Sequence, residues 1–262
     1  MRARGGCLSH SESDGTTPFD ALAADYDDTF SNSAIGSTMR QAVWRRMGEL
    51  WPAGSRVVEL NCGTGVDAVW LREHGIEVVA SDVAAEMVAL ARQRGVDARQ
   101  IRAESIAELA TIGPFDGALS NFGGLNCVTD LSAVIDGLAM CLRPGGSALL
   151  CIMGPAVPWE WLWYLLHGQP RKAFRRLTRV TTWRGMEVRY PSIRAMRRHL
   201  DPSFDVTRVW ALGALIPPSY FESLARSHPQ ALAWLARAER RIERWPGVAQ
   251  LADHYVLEVV RR

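Results

Sequence analysis

The 262-residue sequence predicts an α/β fold built on a doubly wound, largely parallel sheet. Three observations carry that prediction. Between Arg56 and Met153, short β-branched runs alternate with helical patterns across short connections. The first run, Val57-Val58-Glu59-Leu60, enters a turn with two glycines, Asn61-Cys62-Gly63-Thr64-Gly65, that opens a helix. Acidic residues then close the next strands, Asp82 the second and Glu104 the third.

The elements follow in order. Residues 1–18 are Gly/Ser/Thr-rich and read as a flexible N-terminus. Two helical segments begin at Phe19. The second sets Ile35, Met39, Val43, Met47 and Leu50 three and four residues apart, an apolar stripe. Arg56–Leu60 is the first strand and Val66–His74 a helix stopped by Gly75. Glu77–Ser81 and Ala84–Arg94 repeat the unit. Ala98–Ala103 is a third strand, Phe115–Asn121 a fourth, Asp130–Leu142 a helix and Ser147–Met153 a fifth strand. Beyond Gly154 the rhythm breaks. Residues 155–184 are rich in Trp and Arg and read as helical, and Ser192 N-caps a helix to Leu200. Phe204–Leu212 is a sixth strand, residues 217–244 a further helical excursion, and His254–Arg261 a closing strand.

Charge divides along the chain. Residues 1–154 hold 12 basic and 19 acidic side chains, net −7; residues 155–262 hold 18 and 9, net +9. The five cysteines, Cys7, Cys62, Cys127, Cys141 and Cys151, form no Cys-x-x-Cys pair, so no metal site or disulfide framework is expected. No apolar run approaches the roughly 20 residues that span a bilayer. The first twenty residues hold no apolar signal region, and a reduced, cytoplasmic protein is expected.

Glycines after the first strand let backbone approach a ligand at the carboxyl edge of the sheet. Gly63-x-Gly65-x-x-Ala68 also fits a dinucleotide fingerprint. Asp82 lies where a carboxylate accepts both ribose hydroxyls, and Glu104 where one accepts from a nucleobase amine. Val83 and Ile106 beside them are placed to sandwich a purine.

At these residues the sequence resembles the class I S-adenosylmethionine-dependent methyltransferases, especially their small-molecule, UbiE-like branch. The resemblance runs from Glu59–Gly65 through Asp82 and Glu104 to Phe115-Asp116-Gly117-Ala118-Leu119-Ser120-Asn121-Phe122. It continues in Leu142-Arg143-Pro144-Gly145-Gly146 and in Asp253-His254-Tyr255 before the last strand. Asn61 stands where the family usually has its first glycine, and asparagine tolerates positive φ better than most residues. The resemblance implies a Rossmann-like, seven-stranded sheet, mostly parallel with the last strand antiparallel, plus a helical cap. It makes residues 19–262 a single domain: a cofactor-binding half (19–154), an acceptor side with cap insertions (155–253) and the last strand (254–262). It also implies S-adenosyl-L-methionine as cofactor. Glu59 would organise the methionyl end, with Asn61, Cys62, Gly63 and Gly65 passing beneath it. Asp82 would hold the ribose, and Glu104 with Ser105 would meet the adenine; Val83, Ile106 and Met87 are further cofactor-binding candidates. Ser120, Asn121 and Phe122 would line the crevice beside the methyl group. Tyr26, in the segment resembling the family's opening helix, is either a lid over the cofactor or a core aromatic anchoring that helix.

The acceptor is expected to be a small, apolar or aromatic molecule, lipophilic or anionic, with oxygen or carbon preferred to nitrogen as the methylated atom. Asn121 is the candidate to orient it. His254, at the start of an antiparallel last strand, is either a base or a hydrogen-bonded structural residue. Asn126 either touches the acceptor or braces its loop. Trp159, Trp163 and His167 belong to an aromatic, basic segment that forms the acceptor cap in this family. Such a segment also suits peripheral contact with a membrane surface. No nucleic-acid recognition motif is present, so no nucleic-acid partner is expected. Two other classes compete. A nicotinamide oxidoreductase with a Tyr-x-x-x-Lys pair would need tyrosine four residues before the only lysine, Lys172, where Gly168 stands. A catalytically silent scaffold of the same fold would bind without turnover.

Overall fold

A computed structural model describes residues 17–262. The expected flexible segment, with Cys7 and His10, falls almost wholly outside the described residues. Seven strands form one sheet in the order β3-β2-β1-β4-β5-β9-β8. They are β1 (Arg56–Leu60), β2 (Glu77–Asp82), β3 (Asp97–Gln100), β4 (Phe115–Ser120), β5 (Leu142–Met153), β8 (Phe204–Leu212) and β9 (His254–Arg261). β1 to β5 run parallel, and β9 lies antiparallel between β5 and β8. Both faces of the central strands are covered, which is why the adjacent Val57 and Val58, on opposite faces, are both apolar and, like Leu60, fully buried.

One face carries α2 (Ala34–Leu50), α3 (Val66–Glu73), α4 (Ala85–Gln93), α9 (Glu222–Ser227) and α10 (Pro229–Ile242). The predicted stripe of α2 delivers Ile35, Met39, Val43 and Met47 to that core. The other face carries a 3₁₀ stretch (Ala103–Ile112), α5 (Leu131–Cys141) and α8 (Ile193–Leu200). Asp130 and Ser192 cap α5 and α8 by accepting from Ala133 N and Ala195 N. The short α1 (Ala23–Tyr26) passes through a π-helical turn towards α2. Two further short helices, α6 (Pro158–Leu166) and α7 (Pro170–Ala173), begin the cap.

Three predicted elements are corrected. The third strand ends at Gln100 rather than Ala103, because β3 is an edge strand paired only with β2. The chain then turns through the 3₁₀ stretch. Residues 155–184 are not helical throughout: β6 (Val180–Trp183) pairs antiparallel with β7 (Met186–Arg189). Arg184 and Gly185 take φ of 48° and 82° at the two central positions, the positive-φ geometry that suits a two-residue hairpin loop. The excursion from 217 to 244 is broken at His228-Pro229 into α9 and α10, since proline cannot continue α9 but can start α10.

Candidate active site

The glycine turn is shaped by left-handed backbone. Asn61, Gly63 and Gly65 have φ of 53°, 53° and 81°. A Cβ on Gly65 would lie 2.9 Å from that of Ala91, so packing of the loop on α4 requires glycine there. Asn61 Oδ1 accepts from Ser120 Oγ at 3.3 Å, tying the ends of β1 and β4. Cys62 N donates to Ser81 O at 3.0 Å, and burial pushes its thiol well above the ordinary value. Asp82 holds the turn from β2. Its two oxygens accept from Gly63 N and Ala84 N, each at 2.9 Å, while burial raises its carboxyl above the usual range.

Beneath the turn lies a buried polar network. Glu59 is 2 % exposed, its Oε2 has no hydrogen-bond partner, and burial followed by the nearby Asp67 raises its carboxyl well above the ordinary value. Arg40 reaches inward from α2 to pair with Asp67. Asp67 also accepts from Trp44 Nε1 at 2.6 Å and from Asn121 Nδ2 at 2.9 Å. Asn121 Oδ1 accepts from Phe122 N at 3.0 Å, so both ends of this side chain hold protein groups. The Arg40 guanidinium lies 4.8 Å from the Phe122 ring centroid.

These elements bound a cavity of about 710 Å³. Asn61 and Gly63 line it from the glycine turn, Asp82 from the end of β2, Met87 from α4, and Asn121 and Phe122 from just after β4. Tyr26, with Phe19, Leu22 and Phe30, covers it from the N-terminal segment, and burial pushes the Tyr26 hydroxyl up to about 12. Arg175, Arg176, Trp183, Val188 and Tyr190 close it from the cap. A cavity of this size lies within the range of small-molecule and cofactor sites.

Other residues singled out in the sequence lie elsewhere. Glu59, Cys62, Gly65 and Ser120 are buried without lining the cavity. Val83 and Ser105 are half-buried off its wall, and Ile106 is a fully buried member of the core with α5, unavailable to stack on a purine. Glu104 Oε1 accepts from Thr129 N at 2.9 Å and Thr129 Oγ1 at 3.1 Å, so its carboxylate bridges to the segment before α5. Asn126 braces its loop: its Oδ1 accepts from Met153 N at 2.8 Å and its Nδ2 donates to the carbonyls of Met153 and Arg189. Trp159 donates to Ala214 O at 3.1 Å, and Trp163 packs on Tyr220 and Phe221. His167 is exposed at the end of α6 and hydrogen-bonds Trp163 O. None of these last four lines the cavity. His254 is also off its wall. The ring is buried with its Nδ1 3.2 Å from Asp253, and it meets the Phe122 ring edge-on at 5.8 Å between centroids.

Three features escaped sequence reading. Arg40 sits inside the apolar stripe of α2, and a charged residue on a buried helix face was the available signal. Asp27 accepts from Thr64 Oγ1 at 2.7 Å and pairs with Arg94, latching the N-terminal segment to the glycine turn; no local pattern announces that contact. Residues 180–190 supply much of the cap wall, and the helical reading of 155–184 took in their first strand. The β-branched Val180-Thr181-Thr182 followed by Arg184-Gly185 was the missed hairpin signal.

Sheet order, glycine turn and strand-end carboxylate are the arrangement that the resemblance to class I S-adenosylmethionine-dependent methyltransferases implies. Residues 57–146 match the family described as "Methyltransferase domain". The chain is 35% identical over 106 residues to a ubiquinone biosynthesis O-methyltransferase of Xanthomonas axonopodis pv. citri, covering 38% of this chain and 44% of that protein. It is 32% identical over 149 residues to a demethylmenaquinone methyltransferase of Clavibacter sepedonicus, covering 53% and 58%. The chain thus spans about half the length of these curated relatives. The fold is shared with an S-adenosylmethionine-dependent methyltransferase from Mesorhizobium loti, with a TM-score of 0.54, 18% identity, and coverage of 86% of this chain and 98% of that one.

The residues present fit the cofactor of this class. Each Asp82 oxygen accepts one backbone N–H and keeps a lone pair for a hydroxyl. A Cβ on Gly63 would meet nothing within 4 Å, which leaves its backbone open beside the cavity.

Proposed function

We propose that the protein transfers the methyl group of S-adenosylmethionine to a small apolar or aromatic acceptor, at oxygen or carbon rather than nitrogen. The observation that carries this reading is a single cavity joining Asp82 and the glycine turn to an aromatic, arginine-bearing cap wall. The two relatives are named a ubiquinone biosynthesis O-methyltransferase and a demethylmenaquinone methyltransferase, which supports a phenol or quinol as the acceptor class.

S-adenosylmethionine supplies an activated methyl on a sulfonium, so the protein's task is to hold, orient and exclude water. Asp82 binds the ribose diol, the backbone at Asn61–Gly63 carries the methionyl side, and Tyr26 with Phe30 covers the cavity. Phe122 presents an apolar wall backed by Arg40, and the buried Trp44–Asp67–Asn121 contacts fix the turn that carries it. Tyr190 and Trp183 offer flat surfaces for an aromatic ring on the acceptor side.

Calorimetry with S-adenosylmethionine tests the donor. Asp82→Ala is expected to weaken binding about 10- to 100-fold, the loss of charge-assisted hydrogen bonds to a diol. Unchanged affinity would remove Asp82 from the site. Mass spectrometry for methylated products across quinols, phenols, amines and carboxylic acids tests the acceptor. Products confined to nucleic acid or protein would overturn the small-molecule reading. Binding of the donor with no turnover of any acceptor would favour a silent scaffold.

A further inference from the structure

We propose that the outer surface of the cap, from α6 to the β6–β7 hairpin, docks on an anionic lipid bilayer. The part of the proposal that concerns uptake of a lipid-soluble acceptor rests on the function proposed above.

The outward face of α6 is apolar. Leu162, Leu165 and Leu166 are 50 %, 48 % and 76 % exposed, at the three- and four-residue spacing of one helix face. A surface helix of a globular protein ordinarily turns a polar face outward, so this arrangement is inverted. The pattern continues through Phe174, Leu177, Val180 and Trp183. Seven of the twelve large apolar side chains exposed among the described residues therefore fall between positions 162 and 183. Scattered exposed leucines need no explanation, but a concentration in one segment marks an interaction surface.

Charge selects the partner. Positions 161–186 contain six basic residues and no acidic one. Arg175 and Arg176 turn inward to Glu160. Arg171, Lys172, Arg179 and Arg184 are exposed, and none pairs with a carboxylate among the described residues. Unpaired cations alternating with leucine and tryptophan are complementary to a surface that is anionic outside and apolar below, which is a bilayer of acidic lipids. Trp183 joins this surface to the interior, being 40 % exposed and also part of the cavity wall. An acceptor dissolved in the bilayer would thus enter past an aromatic rim. No helix is long and apolar enough to cross a membrane among the described residues, so the contact is peripheral.

Flotation of the full chain with vesicles tests the proposal. Binding is expected to vesicles of phosphatidylcholine mixed with phosphatidylglycerol, weakly or not at all to phosphatidylcholine alone, and to fall with added salt. The double variants Leu165→Glu/Leu166→Glu and Arg171→Ala/Lys172→Ala should each lower vesicle affinity about ten-fold or more. Their S-adenosylmethionine affinity should stay within about two-fold, which also reports that they fold. No binding to the anionic vesicles, or binding that both variants retain, overturns the proposal. Binding to polyglutamate that equals vesicle binding and ignores the leucine changes would assign the surface to an acidic protein instead. Flotation needs no turnover, so its failure leaves the methyl-transfer reading standing, and absence of methylated product leaves the docking surface standing.

Discussion

Glu59 lies inside the sheet beside Asp67, and burial raises its carboxyl well above the ordinary value of 4.5. Folding therefore increases its proton affinity. Its contribution to stability is fully present below about pH 4.5 and is lost as pH rises towards the folded value. Glutamine keeps the shape without the charge. Glu59→Gln is expected to melt above the parent at about pH 8, with the gap closing as the pH approaches 5. Melting curves across that range check this; a gap that widens on acidification would contradict the burial argument. His254 presents the opposite case. Asp253 is buried, yet Arg176 and His254 hold its carboxyl well below the usual range, so the carboxylate stays ionised and fixes the imidazole. The imidazole meets Phe122 and lies off the cavity wall, and we propose a positioning role for His254 rather than that of a base. His254→Gln should lower kcat only several-fold and leave the pH profile of kcat/KM unchanged in shape. A general base would cost about 10²- to 10⁴-fold and remove a limb of the profile.

At the scale of elements, the cofactor half was legible because each strand and helix there obeys one period and ends on its own punctuation. Gly75 and Gly95 stop α3 and α4 with φ of 76°, and Asp130 caps α5. The cap was less legible, since its pieces are short and defined by partners distant in sequence. Glu104 shows the same limit. Its place after a strand was readable, but its bond to Thr129, 25 residues on, was not. Asn126 is the clearest joint between the halves, holding the end of β5 and the end of β7 at once. Asn126→Ala leaves buried backbone groups unpaired, at about 1–3 kcal/mol each. We expect a loss of about 2–4 kcal/mol in urea unfolding. KM for the acceptor should rise while S-adenosylmethionine affinity is kept, because the residue touches the cap and not the glycine turn. Equal losses for donor and acceptor would show that the two sides of the cavity are not separable at this joint.

At the scale of the whole molecule, the opposite charges of the two halves do not make them independent. The last strand, β9, lies between β5 and β8, so residues 155–262 are paired to residues 19–154 within one sheet. Arg46 of α2 donates to both carboxylate oxygens of Glu258 on β9, each at 2.7 Å, and Arg45 pairs with Glu243 after α10. Basic residues of the acidic half thus neutralise acidic residues of the basic half in partly buried contacts, and the excess positive charge of residues 155–262 is left on the surface. Residues 19–154 and 155–262 should accordingly unfold as one cooperative unit. Seven of the ten tryptophans lie beyond residue 154, so tryptophan fluorescence reports mainly the acceptor side, whereas far-UV circular dichroism reports every helix and strand. The two urea transitions are expected to coincide, and saturating S-adenosylmethionine should shift both by the same amount, because a ligand of the native state stabilises the whole cooperative unit. A fluorescence transition preceding the dichroism change would mean that the cap melts from an intact sheet, and the donor would then stabilise only the later step.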